Sequence, residues 1–198
     1  MNHFKVALIL LAAGESKRMG TPKQLLPYQG CSLIRHAATT AVASNCNPII
    51  VVLGAKSDRI SPEIKDLPVH IAYNTQWQQG MSASIAIGIN TLLNINIDFD
   101  AVVVALADQP FITAQTYNRL IERYCQNYSL AVASNYSDTL GVPALFARTL
   151  IRELLQMKHQ GGAKQILKKY SDRAFNLDLP EAAIDIDTPT DYQRLLST

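Results

Sequence analysis

A cationic loop close to the N-terminus contains the residue types that a polyphosphate site requires. The loop follows an apolar run, Val6–Leu11, and opens with three small residues at positions 12–14, which read Ala-Ala-Gly. Arg18 and Lys23 follow in a polar stretch. Small residues let backbone N–H groups approach an anion closely, and the cations neutralise its charge. The sequence therefore predicts that this loop binds a nucleoside triphosphate.

A carboxylate that follows a second apolar run could hold the metal ion that accompanies such a nucleotide. Ala101–Ala107 is the most apolar predicted strand, and Asp108 stands directly after it. Mg²⁺ prefers oxygen ligands and is commonly bound by one or two carboxylates together with substrate phosphates. Near the C-terminus, Asp185 and Asp187 fall on the same side of an extended segment. Asp108 is therefore a candidate Mg²⁺ ligand, and a plain helix cap is the alternative.

A third polar cluster, Asn74–Ser84, has the features of a loop that binds a ligand at the start of a helix. Gly80 permits close approach of the backbone, and Ser82 and Ser84 offer hydroxyl groups. A plain N-cap would account for Ser82 without any ligand. Trp77, the only tryptophan in the chain, is predicted to pack within the protein rather than to stack on a base.

Strands that alternate with helices must position these clusters. Apolar runs predict strands at Phe4–Leu11, Pro48–Gly54, Val69–Tyr73, Ala101–Ala107 and Leu130–Ser134. Helical spacing predicts helices at Ser32–Ser44, Ser82–Leu93, Thr113–Gln126, Arg148–Met157, Ala163–Tyr170 and Thr190–Leu196. This alternation is typical of an α/β fold with a mainly parallel sheet and helices on both faces. Because ligands bind at the carboxyl ends of such strands, we expect the three clusters to meet at one rim.

The composition restricts the class of protein. A chain of 198 residues with 48% hydrophobic residues fits one large domain, and a net charge of +2 disfavours a dedicated nucleic-acid binder. Three widely spaced cysteines predict reduced thiols in the cytoplasm and no metal cage. Lys5 and the apolar run after it have the outline of a secretory signal, but cleavage there would remove the loop. No other segment approaches the roughly 18 apolar residues of a membrane span, so no membrane partner is expected.

The cationic loop matches neither of the two commoner phosphate-binding loops, the Walker loop and the dinucleotide fingerprint. It resembles the signature L-A-[AG]-G-x-S-x-R-M-G-x-x-K-x-L-L of the MobA-like nucleotidyltransferases. All fixed positions are met, by Leu11, Ala12, Ala13, Gly14, Ser16, Arg18, Met19, Gly20, Lys23, Leu25 and Leu26. The alternative interpretation is a basic, solvated turn after a core strand.

The cluster Asn74–Ser84 resembles N-x-x-W-x-x-G-M-x-x-S, a motif of the branch of this family that transfers cytidylyl groups to the molybdenum cofactor. In that branch the loop contacts the base and the ribose. The resemblance implies such contacts for Gln79, Gly80 and Ser84.

Two acidic motifs also resemble those of the family. Asp108-Gln109-Pro110 is similar to its D-x-P motif, and the run from Asp185 is similar to [DN]-x-[DN]-T-P-x-D. The resemblance implies that Asp108 and Asp187 hold the metal. Asp185 remains an alternative to Asp187 as the second ligand.

The acceptor region is similar to the same branch only in part. Gly141–Phe146 resembles its G-x-P-x-L-F motif, and Gly162–Lys164 resembles its Gly-Ala-Arg/Lys element. The branch usually has Gly-Asp just upstream of that element, whereas this chain has His159 and Gln160. The identity of the acceptor is therefore left open.

The resemblance implies a single-domain, three-layer fold over residues 1–198, Rossmann-like and of the nucleotide-diphospho-sugar transferase type. It implies transfer of CMP from CTP to the terminal phosphate of molybdopterin, with Mg²⁺ as cofactor and a molybdoenzyme as client. The residues implied to bind the nucleotide are Leu11, Ala12, Ala13, Gly14, Arg18, Lys23, Gln79, Gly80 and Ser84. Those implied to act in catalysis are Arg18, Lys23 and Asp108.

Other functions remain open at this point. Within the same enzyme class, the chain could be a guanylyltransferase for the same cofactor or a cytidylyltransferase for another phosphorylated alcohol. Outside that class, it could be a non-catalytic chaperone that binds nucleotide or cofactor and hands it to a partner enzyme. Ala13 favours CTP, because guanylyl-transferring relatives typically have glycine at this position.

Overall fold

A seven-stranded sheet with helices against both faces forms the framework that positions the candidate site. The computed structural model describes residues 4–127, 129–137, 139–157 and 162–197. The strands are β1 (Val6–Ala12), β2 (Pro27–Tyr28), β3 (Cys31–Ser32), β4 (Ile49–Leu53), β5 (His70–Tyr73), β6 (Ala101–Leu106), β7 (Ala131–Tyr136), β8 (Thr139–Ala147) and β9 (Ala174–Asp178). The α-helices are α1 (Leu33–Val42), α2 (Ser57–Ile60), α3 (Met81–Asn94), α4 (Ala114–Asn127), α5 (Ile151–Leu155), α6 (Gly162–Lys169) and α7 (Pro189–Leu196).

The strand order places the predicted strands of the site side by side. The order is β5-β4-β1-β6-β8-β7-β9, and the short strands β2 and β3 pair only with each other. β8 is antiparallel to both of its neighbours, and the other pairs of the large sheet are parallel. Leu11 lies beside Val52 on one side and Leu106 on the other, so β1, β4 and β6 end at one rim. The prediction of a mainly parallel, mixed α/β sheet is confirmed.

Alternate residues of β1 enter two separate cores, which explains why the whole strand is apolar. Leu8 and Leu10 pack into the core that contains side chains of α1 and α4. Ile9 points to the opposite face, among side chains of α3, α5 and α6. α3 packs very close to β1, since a Cβ on Gly88 would lie 2.5 Å from the Ile9 side chain. Burial on both faces is the reason that such strands have continuous apolar runs.

The helices predicted from Ser32 and from Thr190 are present as α1 and α7, and both have capped starts. The Ser32 hydroxyl caps α1 by accepting a hydrogen bond from the Arg35 backbone N–H at 3.4 Å. Pro189 is the first residue of α7, and Thr188 and Asp191 form a reciprocal capping box. Proline suits this position because its missing N–H would have no partner inside the helix.

Two strands of the large sheet, β8 and β9, are missing from the strands predicted from sequence. Gly141 and Pro143 interrupt the apolar pattern of β8, and both residues are unfavourable inside most strands. Strand β9 is short and exposes polar side chains at the edge of the sheet. The segment of Asp185 and Asp187 is extended but belongs to no strand. It is anchored by the Ile186 N–H, which donates to the Asp108 carbonyl at 3.0 Å.

The cysteines are consistent with the prediction of reduced thiols. Cys31, Cys46 and Cys125 are all free. Burial raises the pKa of the Cys46 thiol to about 11. Within the described ranges, no helix combines the length and the apolar character that crossing a membrane would need.

Candidate active site

A cavity of about 350 Å³ opens at the carboxyl ends of β1 and β6. Residues from all three predicted clusters line it, so the expected convergence at one rim is confirmed by the geometry. The predicted site residues among its lining are Leu11, Ala12, Ala13, Gly14, Lys23, Gly80, Ser84, Asp108 and Asp187.

Two of the predicted nucleotide-binding residues are absent from the cavity lining. The side chain of Arg18 is 68% exposed and pairs with Asp187 at 2.5 Å. Gln79 is the last residue of a 3₁₀ turn, Trp77–Gln79. Trp77 and Gly80 line the cavity, whereas Gln79 is exposed to solvent. Trp77, predicted to pack, is partly buried and also lines the cavity.

Lys23 connects the cationic loop to the two acidic motifs. Its Nζ donates to Asp108 Oδ2 at 2.5 Å and to Asp187 Oδ1 at 2.7 Å. The Lys23 side chain is only 13% exposed, and those of Asp108 and Asp187 are 19% and 31% exposed. Three motifs that are far apart in the sequence therefore meet around a single ammonium group.

The charges in this cluster reinforce one another. Burial disfavours the charged form of Lys23, but Asp108 and Asp187 raise the pKa of its ammonium group above the ordinary value. Burial would also raise the pKa of Asp187, but Lys23 and Arg18 together hold this pKa below its usual value. Both Lys23 and Asp187 are therefore ionised near neutral pH.

The carboxylate pair also fits a divalent cation. Asp108 Oδ1 is buried and has no hydrogen-bond partner in the described part of the chain. Such an orphaned buried oxygen is costly unless a ligand or an ion satisfies it. The described residues contain no group of three or more side chains from His, Cys, Asp and Glu arranged to hold a metal. Asp108 and Asp187 would therefore share a cation with nucleotide phosphates and water, as Mg²⁺ sites commonly do.

Asp185 also lines this cavity. Burial, together with the negative charges of Asp108 and Asp187, raises the pKa of Asp185. Asp187 shares the Lys23 ammonium with Asp108, whereas no ion pair joins Asp185 to Lys23 in the described part of the chain.

The start of α3 forms the wall of the cavity opposite the cationic loop. Gly80 precedes the helix with a φ of 93°, a backbone conformation that residues with a side chain rarely adopt. As the N-cap residue, Gly80 has no side chain that could cap the helix. The Ser84 hydroxyl accepts a hydrogen bond from Asn74 Nδ2 at 2.9 Å. Asn74 in turn accepts from the Gln76 N–H, so this buried pair holds the loop against the helix.

Gly54 allows the loops after β1 and β5 to approach each other. A Cβ at this position would lie 2.6 Å from the Ala13 carbonyl oxygen and 2.8 Å from Trp77 Cβ. The sequence pattern predicts Gly54 only as the end of a strand. The glycine at that end was the available signal for a close approach.

Gln24 is a second residue of the site that sequence analysis missed. It occupies a variable position of the loop signature, yet it is only 4% exposed and lines the cavity. Its side chain donates to the backbone carbonyls of Ala12 and Gly14. A buried glutamine among apolar neighbours leaves no periodic pattern in a sequence, so only the structure reveals it.

The segment Gly141–Phe146 resembles the acceptor motif of the family branch. Its first residue, Gly141, packs against Tyr136, and Tyr136 lies close to Asp185 and Asp108. A Cβ on Gly141 would lie 2.1 Å from the Tyr136 hydroxyl oxygen, so glycine is required beside this ring. Burial and the charges of Asp185 and Asp108 raise the pKa of Tyr136. His159 and Gln160, where the sequence departs from the family pattern, lie outside the described residues.

The chain is similar in sequence to proteins that have different names, as three of these relatives show. The nicotine blue oxidoreductase of Paenarthrobacter nicotinovorans is 37% identical over 114 residues, which cover 57% of this chain and 54% of that protein. The purine catabolism protein PucB of Bacillus subtilis (strain 168) is 26% identical, covering 93% and 92%. The molybdenum cofactor cytidylyltransferase of Escherichia coli (strain K12) is 21% identical, also covering 93% and 92%. This chain thus spans about half of the first relative and nearly all of the other two.

Solved structures share the whole fold. Rv0371c from Mycobacterium tuberculosis H37Rv is 25% identical with a TM-score of 0.80, covering 99% of this chain and 100% of that one. A complex of Rv0371c with manganese has a TM-score of 0.74 at 25% identity, covering 98% and 99%. The similarity therefore extends across the sheet and the helices that build the cavity.

The sequence also matches a family model over most of its length. The model is that of the MobA-like NTP transferase domain, and it matches residues 8–174. This range includes the cationic loop, the Asn74–Ser84 cluster and Asp108. The chain therefore belongs to the family of MobA-like NTP transferase domains, which are nucleotidyltransferases.

Proposed function

We propose that the protein transfers CMP from CTP to the terminal phosphate of molybdopterin and releases pyrophosphate. The observation that carries this proposal is the meeting of the Ala12–Gly14 turn, Lys23, Asp108 and Asp187 around one cavity. A triphosphate needs amide groups and cations, and a metal needs carboxylates, and the cavity offers both. Similarity to a molybdenum cofactor cytidylyltransferase along almost the full chain supports the choice of acceptor.

The proposed reaction exchanges one phosphoanhydride bond for another. An oxygen of the acceptor phosphate attacks the α-phosphorus of CTP, and the bond from that phosphorus to the bridging oxygen of pyrophosphate breaks. A phosphate monoester is already anionic near neutral pH, so no general base is required. The protein aligns the reacting groups and neutralises their charge. Lys23 and Arg18 of the cationic loop supply the positive charges.

In this proposal Asp108 and Asp187 hold the Mg²⁺ ion. When bound, the metal would neutralise charge on the phosphates and help to orient them. In the structure the Lys23 ammonium forms ion pairs with both of these carboxylates, and Arg18 forms a second ion pair with Asp187. The two carboxylates are therefore already placed around one cationic group.

Pyrophosphate release tests the proposal and separates it from its alternatives. We expect release from CTP only when molybdopterin and Mg²⁺ are both present. If pyrophosphate is released with another phosphorylated alcohol and not with molybdopterin, that alcohol is the acceptor instead of molybdopterin. Tight binding of CTP and cofactor with no release under any condition would favour a chaperone that hands cofactor to a molybdoenzyme.

The loop cations should differ in importance. Lys23→Ala should weaken triphosphate binding by roughly 1.5–3 kcal/mol, the range for a hydrogen bond to a charged group. Lys17 has a side chain that is 80% exposed and pairs only with Glu15 among the described residues, so Lys17→Ala is the matched control. Isothermal titration with CTP measures both variants. Equal losses for the two lysines would contradict the assignment of Lys23 to the triphosphate.

Ala13 should bias the choice of nucleotide toward CTP. It lines the cavity, and its methyl group takes space that a two-ring purine would need. A change of one methyl group typically alters discrimination by about 1–3 kcal/mol. We therefore expect Ala13→Gly to narrow the preference for CTP over GTP without inverting it, measured as the ratio of kcat/KM values. Equal use of GTP by the unmodified protein would refute the choice of CTP and leave nucleotidyl transfer standing.

A further inference from the structure

We propose that Gln24 is a positioning residue that turns backbone N–H groups of the cationic loop toward the triphosphate. The inference rests on the proposed nucleotide site and adds a residue to it. Gln24 follows Lys23 in the sequence, and its polar side chain is 4% exposed. Burying an amide is costly unless all of its polar atoms find partners, so its contacts indicate its role.

Both donor positions of the Gln24 amide are used on the loop backbone. Nε2 donates to the Ala12 carbonyl at 3.0 Å and to the Gly14 carbonyl at 2.9 Å. The carbonyl between them, that of Ala13, accepts from the Ala55 N–H at 3.1 Å. Three consecutive carbonyl groups of the turn are therefore held by hydrogen bonds from the protein.

Fixing these carbonyls also fixes the direction of the N–H groups. In a planar trans peptide the C=O and the N–H point to opposite sides. The N–H groups of Ala13 and Glu15 belong to the two peptide units that Gln24 holds, so they point away from it. Among the described residues, neither N–H donates to a backbone or side-chain acceptor. Ala13 is a buried residue, and buried backbone donors normally have a partner, whereas Glu15 is exposed. Both N–H groups are therefore available to an anion.

The other end of the Gln24 amide ties this turn to the segment that carries Lys23. Gln24 Oε1 accepts a hydrogen bond from the Ser16 hydroxyl at 3.3 Å. The same Ser16 oxygen accepts from the Lys23 backbone N–H at 3.1 Å. Ser16 has a φ of 60°, a left-handed conformation that is unusual for a serine and that these bonds support. One side chain thus sets both the amide turn and the path of the chain into Lys23.

Binding of CTP and CMP, each with Mg²⁺, to the full-length protein tests this role by calorimetry. CTP carries the triphosphate and CMP lacks its last two phosphates, so their ratio of Kd values reports the phosphate contacts. Gln24→Glu keeps the shape but replaces the NH₂ group and both of its donors by a second acceptor oxygen. We expect the Kd for CTP to rise at least about tenfold, with the Kd for CMP changed less than about twofold. Gln24→Met should have the same effect.

A matched control separates positioning from general destabilisation. Thr116 is also buried and accepts a hydrogen bond from a backbone N–H, that of Thr113, away from the cavity. Thr116→Val should lower the melting temperature without changing the ratio of the two Kd values. If Gln24→Glu raises both Kd values equally, or neither, the positioning role is wrong.

The remaining outcomes are also decisive. If the Gln24 variants do not fold, Gln24→Asn replaces them, because its shorter side chain withdraws the amide from the Ala12 and Gly14 carbonyls, and an unchanged CTP-to-CMP ratio in that variant overturns the inference. If the unmodified protein binds CTP no better than CMP, the proposed nucleotide site fails before Gln24 is tested. A normal preference in the unmodified protein and in both Gln24 variants overturns only the inference about Gln24.

Discussion

Replacing Asp108 by alanine should lower kcat for nucleotidyl transfer on the order of a thousandfold or more. The proposed role of Asp108 is to hold the metal, and loss of a metal contact removes several kcal/mol of transition-state stabilisation. Its Oδ1 is buried without a partner in the described residues, while Oδ2 accepts from Lys23. Single-turnover measurement of pyrophosphate release gives the rate directly.

The fold should survive this change. Lys23 keeps its hydrogen bond to Asp187 when Asp108 is removed, so no buried ammonium is left alone. Asp98, which pairs with Arg148 and is 70% exposed, supplies the control, because exposed ion pairs contribute little to stability. Asp98→Ala should keep full activity. Activity of Asp108→Ala within about tenfold of the parent would contradict the metal assignment.

Replacing Asp187 by alanine should cause a loss of the same kind, and much more than the same change at Asp185. Asp187 shares the Lys23 ammonium with Asp108 and also accepts from Arg18. Asp185 lines the same cavity, but among the described residues no ion pair joins it to Lys23 or Arg18. The measured quantities are kcat and the affinity for Mn²⁺ in the presence of CTP.

The pair of variants distinguishes the two carboxylates. We expect Asp187→Ala to weaken Mn²⁺ binding and kcat together, whereas Asp185→Ala should affect chiefly the KM for the acceptor. If Asp185→Ala loses more Mn²⁺ affinity than Asp187→Ala, Asp185 is the second metal ligand and Asp187 is not. Asp66→Ala, which removes an exposed partner of Arg35, controls for a general loss of negative charge.

The inner strands could be predicted from sequence because both of their faces are buried. β1, β4 and β6 read as continuous apolar runs, and the structure buries them almost completely. β8 could not be predicted in the same way, since Gly141 and Pro143 break its pattern. Tertiary pairing with β6 and β7 makes it a strand despite its sequence.

The rim of the site was also predictable, and its internal contacts were not. Parallel strands carry the residues after them to the same edge, so the positions of the turn at Ala13 and of Asp108 followed from the strand pattern. The hydrogen bonds of Lys23 to Asp108 and Asp187 span 85 and 164 residues of sequence. Local spacing contains no information on such pairs, nor on the buried amide of Gln24.

The most direct test of the central claim is transfer of label from CTP that carries ³²P at the α-position. With molybdopterin and Mg²⁺, we expect the label in a pterin dinucleotide and an equal amount of pyrophosphate. Asp108→Ala should abolish both products, while Asp98→Ala should form them at the parental rate. Label that stays in CTP would contradict transfer to molybdopterin, and label that enters a product equally well in Asp108→Ala would contradict catalysis at this site.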